Sequence, residues 1–311
     1  FVISRYVITT SLLRLMAQSP ANWRSKFLVR RAARIFPLYL LSSLLFLVLI
    51  DASALTGPDR IWQIASHLLL LHNLLPSTSG SVNGVAWTIA TEAQLYLLTL
   101  LVLPWIRGIA PLWVAIGAIL VAWLWRLATL LLLPVLLPEA PSNTYSHVAT
   151  QFPGFLDAYG LGLALALGRG HIAIPRGLLL MLGVLGFALA ASWVLPYLAS
   201  NDYWEGWLMP VFFRTLPALA ALCLLVALRE TEFKASSPLV LLGVWSYGIY
   251  LWHLPVLQGL SRSGLEPAAV AASALLLTAV LSASSWYLLE RHVIAWGRNF
   301  RGNQDDGLRR P

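Results

Sequence analysis

Long runs of apolar residues alternate along the chain with short segments that contain proline, glycine and charge. The run at 177–200 has about twenty apolar residues and no charged side chain. As a helix, such a run matches the roughly 30 Å hydrocarbon core of a bilayer. The pattern predicts nine membrane-spanning helices, at 1–16, 36–51, 85–106, 110–137, 152–168, 177–200, 207–228, 238–260 and 267–289.

The predicted fold is all-α, a polytopic transmembrane helix bundle with about nine spans plus one re-entrant or surface helix. The additional helix lies at 61–75, where a shorter apolar run holds two histidines, His67 and His72. We expect one transmembrane domain at 1–295, followed by a short polar cytoplasmic tail at 296–311.

Composition agrees with a membrane protein, because 59% of the residues are hydrophobic and only 11% are charged. The net charge of +8 does not indicate a nucleic-acid partner, since the lysines and arginines lie at the ends of apolar runs. Cys223 is alone and lies inside an apolar run, which excludes a disulfide framework. The predicted environment of the chain is the lipid bilayer.

The distribution of basic residues decides whether 61–75 crosses the membrane. If it does not cross, one side receives fifteen lysines and arginines and the other receives only Arg60 and Arg262. The positive-inside rule then assigns the basic side, which includes the C-terminus, to the cytoplasm. We expect the chain to lie in the inner (plasma) membrane of the cell. The loops expected outside are 52–84, 138–151, 201–206 and 261–266.

Several charged side chains lie inside the apolar runs, where each costs about 2.5–3.5 kcal/mol near the bilayer centre. Such charges should pair with one another or line a wet cavity. Both interpretations stay open, a structural ion pair and a functional site. The residues concerned are Arg5, Arg14, Arg126, Arg214, Glu92, Asp157 and Glu290.

The segment FLVRRAARIFPLYLL joins a basic segment to the next span. Arg31 and Arg34 share one helix face if the helix begins before Pro37. Paired guanidiniums suit bidentate binding of phosphate, and Arg30 lies beside them. The alternative is an ordinary basic flank on the cytoplasmic side.

Two further segments contain candidate catalytic residues. Glu92 and Tyr96 share a helix face, and Glu92 lies roughly 10 Å from the outer end of its span. His253 lies in the outer third of its span, and histidine is the side chain best suited to exchange a proton near neutral pH. A histidine flanked by aromatic residues also serves simply as a hydrogen-bonding group at the membrane boundary.

No other catalytic constellation is evident in the sequence. There is no G-x-S-x-G nucleophile elbow. His67 and His72 are five residues apart, which does not place two ligands on one helix face as an i, i+4 spacing would. We therefore expect no metal.

Six segments resemble, in order, motifs of the acyltransferase 3 family of bacterial integral-membrane acyltransferases. Each match is short, and the order of all six makes the resemblance specific. The segments are FVISRYVI, RRAARIFPLYLL, WTIATEAQLY, FLDAYGLGLALA, SYGIYLWHLPV and SWYLLE, from residue 1 to about 290.

This resemblance implies transfer of an acetyl or short acyl group from acyl-CoA to a hydroxyl of a cell-surface carbohydrate or lipid-linked sugar. Arg31 and Arg34, with Arg30, would bind the phosphates of the donor. Glu92, with Tyr96, would orient a catalytic base or the acceptor. His253 would act as a second acid or base, or contact the acceptor.

The chain departs from the family pattern in two places. The family's first helix, which carries an arginine and a catalytic histidine, should precede residue 1, and counting it gives ten spans. Arg5 stands where the family usually has glycine, so we expect it to fill space at a close helix contact. The alternatives are a small-molecule or proton-coupled transporter and an inactive truncated acyltransferase remnant.

Overall fold

The structure, a computed structural model, describes residues 1–139, 143–168, 174–200, 208–234 and 236–300, and every regular element among them is helical. A 3₁₀ turn at Phe152–Phe155 leads into the eighth α-helix, and a π-helical turn at Trp286–Glu290 joins the last two. In chain order the α-helices are α1 Val2–Gln18, α2 Trp23–Leu49, α3 Ser53–Thr56, α4 Arg60–Leu68, α5 Trp87–Ile106, α6 Pro111–Leu136, α7 Asn143–Ala149, α8 Leu156–Leu167, α9 Arg176–Ser200, α10 Leu208–Phe212, α11 Thr215–Leu228, α12 Pro238–Ser261, α13 Pro267–Ser285 and α14 Arg291–Arg298.

Seven segments in the described part of the chain are long and apolar enough to cross a membrane. They are Trp23–Leu49, Trp87–Ile106, Pro111–Leu136, Arg176–Tyr197, Leu208–Leu228, Pro238–Ser261 and Pro267–Arg298. The other two predicted spans correspond to α1, which has 17 residues, and to the shorter apolar segment Phe152–Leu167. The predicted all-α, polytopic helix bundle is confirmed, and the chain is a multi-pass membrane protein.

The segment predicted not to cross the membrane contains only the nine-residue helix α4. At 1.5 Å per residue α4 is about 14 Å long, which is too short to cross the hydrocarbon core. After α4 the chain turns at Leu70, whose φ of 54° lies in the left-handed region. The segment therefore folds as a short helix followed by turns, and its re-entrant or surface position stays a prediction.

Two predicted helix boundaries differ from the structure. The span expected to begin at residue 36 belongs to α2, which begins 13 residues earlier because neither glycine nor proline interrupts 23–36. The predicted span 207–228 is divided into α10 and α11. Pro217 lacks the N–H that would bond the Phe213 carbonyl, so the helix breaks at Phe213 and Arg214.

The chain forms two compact units. The first unit comprises Phe1–Leu13 and Glu92–Thr231, and the second comprises Arg14–Thr91 and Glu232–Pro311. The expected single domain at 1–295 remains a prediction. Of the predicted tail, residues 301–311 lie outside the described residues.

Within the first unit, α8 packs against α6 and α11, and α9 packs along α11. Two glycines of α8 permit these close contacts. A Cβ at Gly160 would overlap the side chain of Ala118, and a Cβ at Gly162 would overlap the carbonyl oxygen of Val2 and crowd Arg5. This packing places α1 and α8 close together beside Arg5.

Within the second unit, α12 packs against α13 and α2, and α14 packs against α2. Gly297 of α14 lies so close to Ala33 of α2 that a Cβ would overlap its methyl group. The C-terminal helix is therefore held against the part of α2 that carries the candidate donor-binding arginines.

Candidate functional site

Glu92 of the first unit forms an ion pair with Arg5. The Arg5 Nη2 atom lies 2.6 Å from Glu92 Oε1, and the Ser4 hydroxyl donates a hydrogen bond to the same oxygen. Arg5 is wholly buried, whereas the Glu92 side chain is 19% exposed. The carboxylate therefore neutralises an enclosed cation while retaining some contact with its surroundings.

Aromatic rings of α5 and α8 enclose the guanidinium of Arg5. Its central carbon lies 4.5 Å from the centroid of the Tyr96 ring and 5.5 Å from that of Tyr159. The Tyr159 and Thr99 hydroxyls lie 3.1 Å apart, and Thr99 Oγ1 lies 3.4 Å from Arg5 Nη1. The predicted pair Glu92 and Tyr96 is therefore brought together around Arg5.

Arg5 does lie at a close helix contact, as its position against Gly162 indicates. It also has a role that the sequence analysis did not assign, which is to pair with Glu92. The sequence did indicate that both charges need a partner, because Arg5 and Glu92 lie inside apolar runs. Only the packing of α1 against α5 and α8 identifies them as partners.

A second ion pair in the first unit is fully enclosed. Arg126 Nη2 lies 2.7 Å from Asp157 Oδ2, and the Thr215 hydroxyl donates to the same oxygen at 2.6 Å. Arg126 also donates to the carbonyls of Gly154 and Val211. These contacts join α6, α8 and the break between α10 and α11, which favours the structural interpretation of this pair.

Arg214 lies at the break between α10 and α11, with its guanidinium 4.9 Å from the Phe155 ring centroid. It is half-buried beside a cleft that Asp157 and Phe187 also line. The position fits a cation that stabilises the break through an aromatic face.

The candidate donor site lies in the second unit, around Arg34. Arg34 Nη1 donates to Glu290 Oε2 at 2.8 Å, and Glu290 is 1% exposed. The guanidinium lies 5.1 Å from the Tyr247 ring centroid and 5.7 Å from that of Trp286. The Tyr247 hydroxyl donates to the Ile35 carbonyl, so the ring is itself fixed against α2.

Arg34 is held on one edge but is not enclosed, because 28% of its side chain is exposed. Arg31, one turn earlier on α2, lies with its guanidinium 5.6 Å from the Phe27 ring centroid. Arg30 donates to the Arg298 carbonyl of α14 at 3.3 Å. Since α2 begins at Trp23, the condition for Arg31 and Arg34 to share a helix face is met.

His253 is exposed on α12. Its Nδ1 lies 3.2 Å from the Ile249 carbonyl oxygen, and its ring centroid lies 5.8 Å from that of Tyr250. A carbonyl only accepts hydrogen bonds, so this contact places the proton on Nδ1 and leaves Nε2 able to accept one. His253 belongs to the second unit and Glu92 to the first.

The second unit contains a stacked histidine pair that the sequence pattern did not indicate. The rings of His67 and His72 lie 4.2 Å apart at 4° to one another, and Tyr39 stacks beyond His72. Burial lowers the pKa of His67, and burial together with the neighbouring His67 lowers the pKa of His72 to about 4. Both imidazoles are therefore neutral at pH 7.

Comparison with known proteins identifies the family. A sequence model described as an acyltransferase domain, that of the acyltransferase 3 family, matches residues 1–289. The chain is 22% identical over 290 residues to the peptidoglycan O-acetyltransferase OatA of Listeria monocytogenes, covering 83% of this chain and 44% of that protein.

Two other relatives are similarly distant. The putative peptidoglycan O-acetyltransferase YrhL of Bacillus subtilis is 27% identical over 286 residues, covering 83% of this chain and 43% of that protein. The O-acetyltransferase OatA of Staphylococcus aureus is 24% identical over 312 residues, covering 93% of this chain and 51% of that protein. The chain spans about half the length of these relatives. No solved structure matches. The order of the motifs, the helical bundle and the match over residues 1–289 together show that the chain belongs to the acyltransferase 3 family.

Proposed function

We propose that the protein transfers an acetyl or short acyl group from acyl-CoA to a hydroxyl of a cell-surface carbohydrate or lipid-linked sugar. Membership of the acyltransferase 3 family supports this function, as do the names of two relatives, a peptidoglycan O-acetyltransferase and a putative one. In the reaction the acceptor oxygen attacks the thioester carbon, the C–S bond breaks and the hydroxyl proton passes by way of a base to the CoA thiolate.

The main observation in support of this proposal is the set of contacts around the Arg34 guanidinium. Glu290 and two aromatic rings fix the guanidinium before any ligand arrives, while part of it stays exposed. A phosphate of the donor can therefore meet a preorganised fork of N–H donors, which supports bidentate binding. Arg31 would supply a second guanidinium one turn away, and Arg30 a third positive charge.

Glu92 would orient a catalytic base or the acceptor hydroxyl, with Tyr96 beside it. The contacts from Ser4 and Arg5 both use Oε1. Oε2 is therefore the oxygen proposed to accept a hydrogen bond from the base or the substrate. An exposed fraction of 19% supports access to this carboxylate in an otherwise enclosed cluster.

His253 would act as a second acid or base, or contact the acceptor. The lone pair on Nε2 suits proton acceptance, and the exposed position of the ring suits contact with a substrate. In the proposed orientation the arginines of α2 face the cytoplasm of a bacterium, where acyl-CoA is found. His253 then lies toward the outer face of the inner membrane, and the C-terminus is cytoplasmic.

The alternative function is transport, which the charges inside the apolar runs suggested. Arg126 and Asp157 do not support it, because they use their hydrogen-bonding groups on one another and on neighbouring backbone. A proton or substrate pathway needs groups that can exchange partners. The enclosed pair is better explained as a fixed connection among α6, α8 and α11.

Acyl transfer from labelled acetyl-CoA to peptidoglycan fragments, by the full-length protein in proteoliposomes, tests the function. We expect transfer that an Arg31→Ala/Arg34→Ala variant loses and that Arg107→Ala, a basic residue on the same predicted side, retains. A folded parent protein that acylates no sugar would contradict the proposal. So would a double variant that transfers at the parent rate.

A further inference from the structure

A polar cleft of about 460 Å³ opens in the second unit, and its lining does not include the arginines of α2. It lies between the segment after α2, the beginning of α4, the loop at 77–81 and the end of α12. Its volume falls in the roughly 300–1,000 Å³ range of small-ligand sites. Its polar lining includes Asp51, Asp59, Arg60, Gln63, Ser81 and Gln258.

The walls of this cleft are tied to α12. Arg262 donates to the Ile50 carbonyl at 2.7 Å, which fixes the end of α2. Asn83 donates through Nδ2 to the Leu251 carbonyl at 3.0 Å, which fixes the loop that follows α4. The cleft therefore has a defined shape, as a binding site for a specific ligand requires.

One polar side chain of the lining is held at both ends. Gln63 donates through Nε2 to the Ser77 carbonyl at 2.9 Å, and its Oε1 accepts from the Ser81 hydroxyl at 2.7 Å. Asp51 also lines the cleft, and its Oδ1 accepts from the Ser53 backbone N–H at 2.8 Å. These bonds orient the lining without using all of its hydrogen-bonding capacity.

Three groups of the lining stay available for a ligand. Asp59 precedes α4, but its side chain does not cap the helix, and both Asp59 and Arg60 are exposed. Gln258 Oε1 is enclosed and has no hydrogen-bond partner among the described residues. An enclosed acceptor without a partner is unfavourable, so a donor group from a ligand would stabilise it.

These groups match a neutral sugar. A carboxylate accepts, a guanidinium donates and an amide does both, which suits hydroxyls and acetamido groups that carry donors and acceptors side by side. Two carboxylates disfavour a phosphate, so the cleft does not suit the acyl-CoA donor. In contrast, the adjacent cleft between α2 and α4 is lined mainly by leucines and other apolar residues.

We propose that the cleft binds neutral, N-acetylated sugar units of the carbohydrate acceptor. This inference rests on the proposed function and adds the place where the acceptor is recognised. The cleft belongs to the loop 52–84, which the charge distribution puts outside, where cell-surface carbohydrate lies. Gln258 follows His253 by five residues, about 7.5 Å along α12, and the two side chains lie on different faces of that helix.

Binding of a β-linked N-acetylglucosamine tetramer to the full-length protein, measured by calorimetry without acyl-CoA, tests the proposal. We expect Gln258→Ala and Asp59→Asn each to weaken binding of the tetramer at least tenfold. Glu266→Gln, a matched control in the exposed turn after α12, should bind like the parent. Acyl-CoA affinity and the melting temperature should be unchanged in all three variants.

The same variants in the transfer assay separate this inference from the proposed function. A raised acceptor KM at an unchanged donor KM supports the cleft as the acceptor site. Transfer with an unchanged acceptor KM in both cleft variants would overturn the cleft assignment and leave the function intact. Conversely, tetramer binding that Gln258→Ala abolishes, in a parent protein that transfers no acyl group, would overturn the function alone.

Discussion

Arg5 and Glu92 form a 2.6 Å ion pair between two helices, although they lie 87 positions apart in separate apolar runs. The guanidinium is wholly buried, so it depends on this carboxylate for its counter-charge. Glu92 therefore has a structural role in addition to the chemical role proposed for it. Single substitutions of Glu92 would disturb both.

A double substitution separates these two roles. We expect Glu92→Gln alone to destabilise the protein by about 3–5 kcal/mol, because it leaves the Arg5 charge buried and unpaired. Adding Arg5→Met should restore most of the stability. Turnover should nevertheless stay about 10²–10⁴-fold below that of the parent, the range typical of acid–base groups. Thermal melting and acyl transfer on the same preparations measure both effects.

The pair Arg126 and Asp157 provides the control for this experiment. We expect Arg126→Met/Asp157→Asn to change stability but to transfer acyl groups at the parent rate while folded. If the Arg5→Met/Glu92→Gln protein also turns over at the parent rate, Glu92 is structural and the catalytic assignment is wrong.

Donor affinity should depend on Glu290 as well as on Arg34. Losing the phosphate contact in Arg34→Ala should weaken acyl-CoA binding by about 1.5–3 kcal/mol. Arg34→Lys should restore only part of this binding free energy, because lysine lacks the bidentate fork of N–H donors. Glu290→Gln should weaken binding less, since it releases Arg34 but leaves its charge. Calorimetric titration with acyl-CoA gives the three affinities.

Arg298→Ala is a suitable control, because the hydrogen bond that joins Arg298 to Arg30 in the described part of the chain uses the Arg298 backbone carbonyl. Its donor affinity should equal that of the parent. Equal affinities for the parent and Arg34→Ala, in folded protein, would exclude Arg34 from the donor site.

The stacked histidines predict a pH-dependent stability. The folded-state pKa of His72, about 4, lies below its ordinary value of 6.5, so the folded protein binds fewer protons than the unfolded chain. Stability should therefore be complete above about pH 6.5 and fall by up to about 1.4 kcal/mol per pH unit between pH 6.5 and 4. Melting temperatures at pH 7.5 and 5 measure the decline.

His72→Gln should reduce this decline, although the loss of stacking lowers stability at every pH. His253→Gln, at an exposed histidine, should leave the pH dependence as in the parent. A parent protein that melts at the same temperature at pH 7.5 and 5 would contradict the assignment to His72.

The predicted topology can be tested by cysteine labelling in a background that lacks Cys223. We expect Ser79→Cys and Ser263→Cys to react with an impermeant reagent from outside, because both lie in loops predicted to be external. Arg107→Cys should react only after the membrane is permeabilised. The further positions Ser142 and Asn201, also predicted outside, lie beyond the described residues. Opposite labelling of Ser79 and Asn201 would show that the predicted topology is wrong.

The helices were predictable because the length of the apolar runs is the dominant sequence signal in a membrane protein. The same signal failed at residue 36, where α2 has already begun at Trp23, because the basic segment before it is helical without being apolar. It also missed the break at Phe213, which depends on the position of Pro217 rather than on hydrophobicity.

The candidate site was predictable only as separate residues. The sequence singled out Glu92, Tyr96 and Arg34, but pairing is a long-range property that local spacing does not contain. Glu92 pairs with Arg5, which is 87 positions away in the sequence, and Arg34 pairs with Glu290, which is 256 positions away. The histidine stack was missed for a related reason, since a turn after α4 brings His72 back onto His67.

The π-helical turn at Trp286–Glu290 has a consequence for insertions and deletions. It holds an extra residue relative to an α-helical turn, and it lies between α13, which packs on α12, and α14, which packs on α2. Because the wide turn absorbs its extra residue, deleting one residue there would restore the α-helical period and leave the segments on either side in nearly their present orientation. Deleting one residue within α13 would instead rotate everything beyond it by about 100°, which would turn Glu290 away from Arg34 and Gly297 away from Ala33. The chain should therefore tolerate loss of a residue in this turn better than loss of a residue in the regular helix before it.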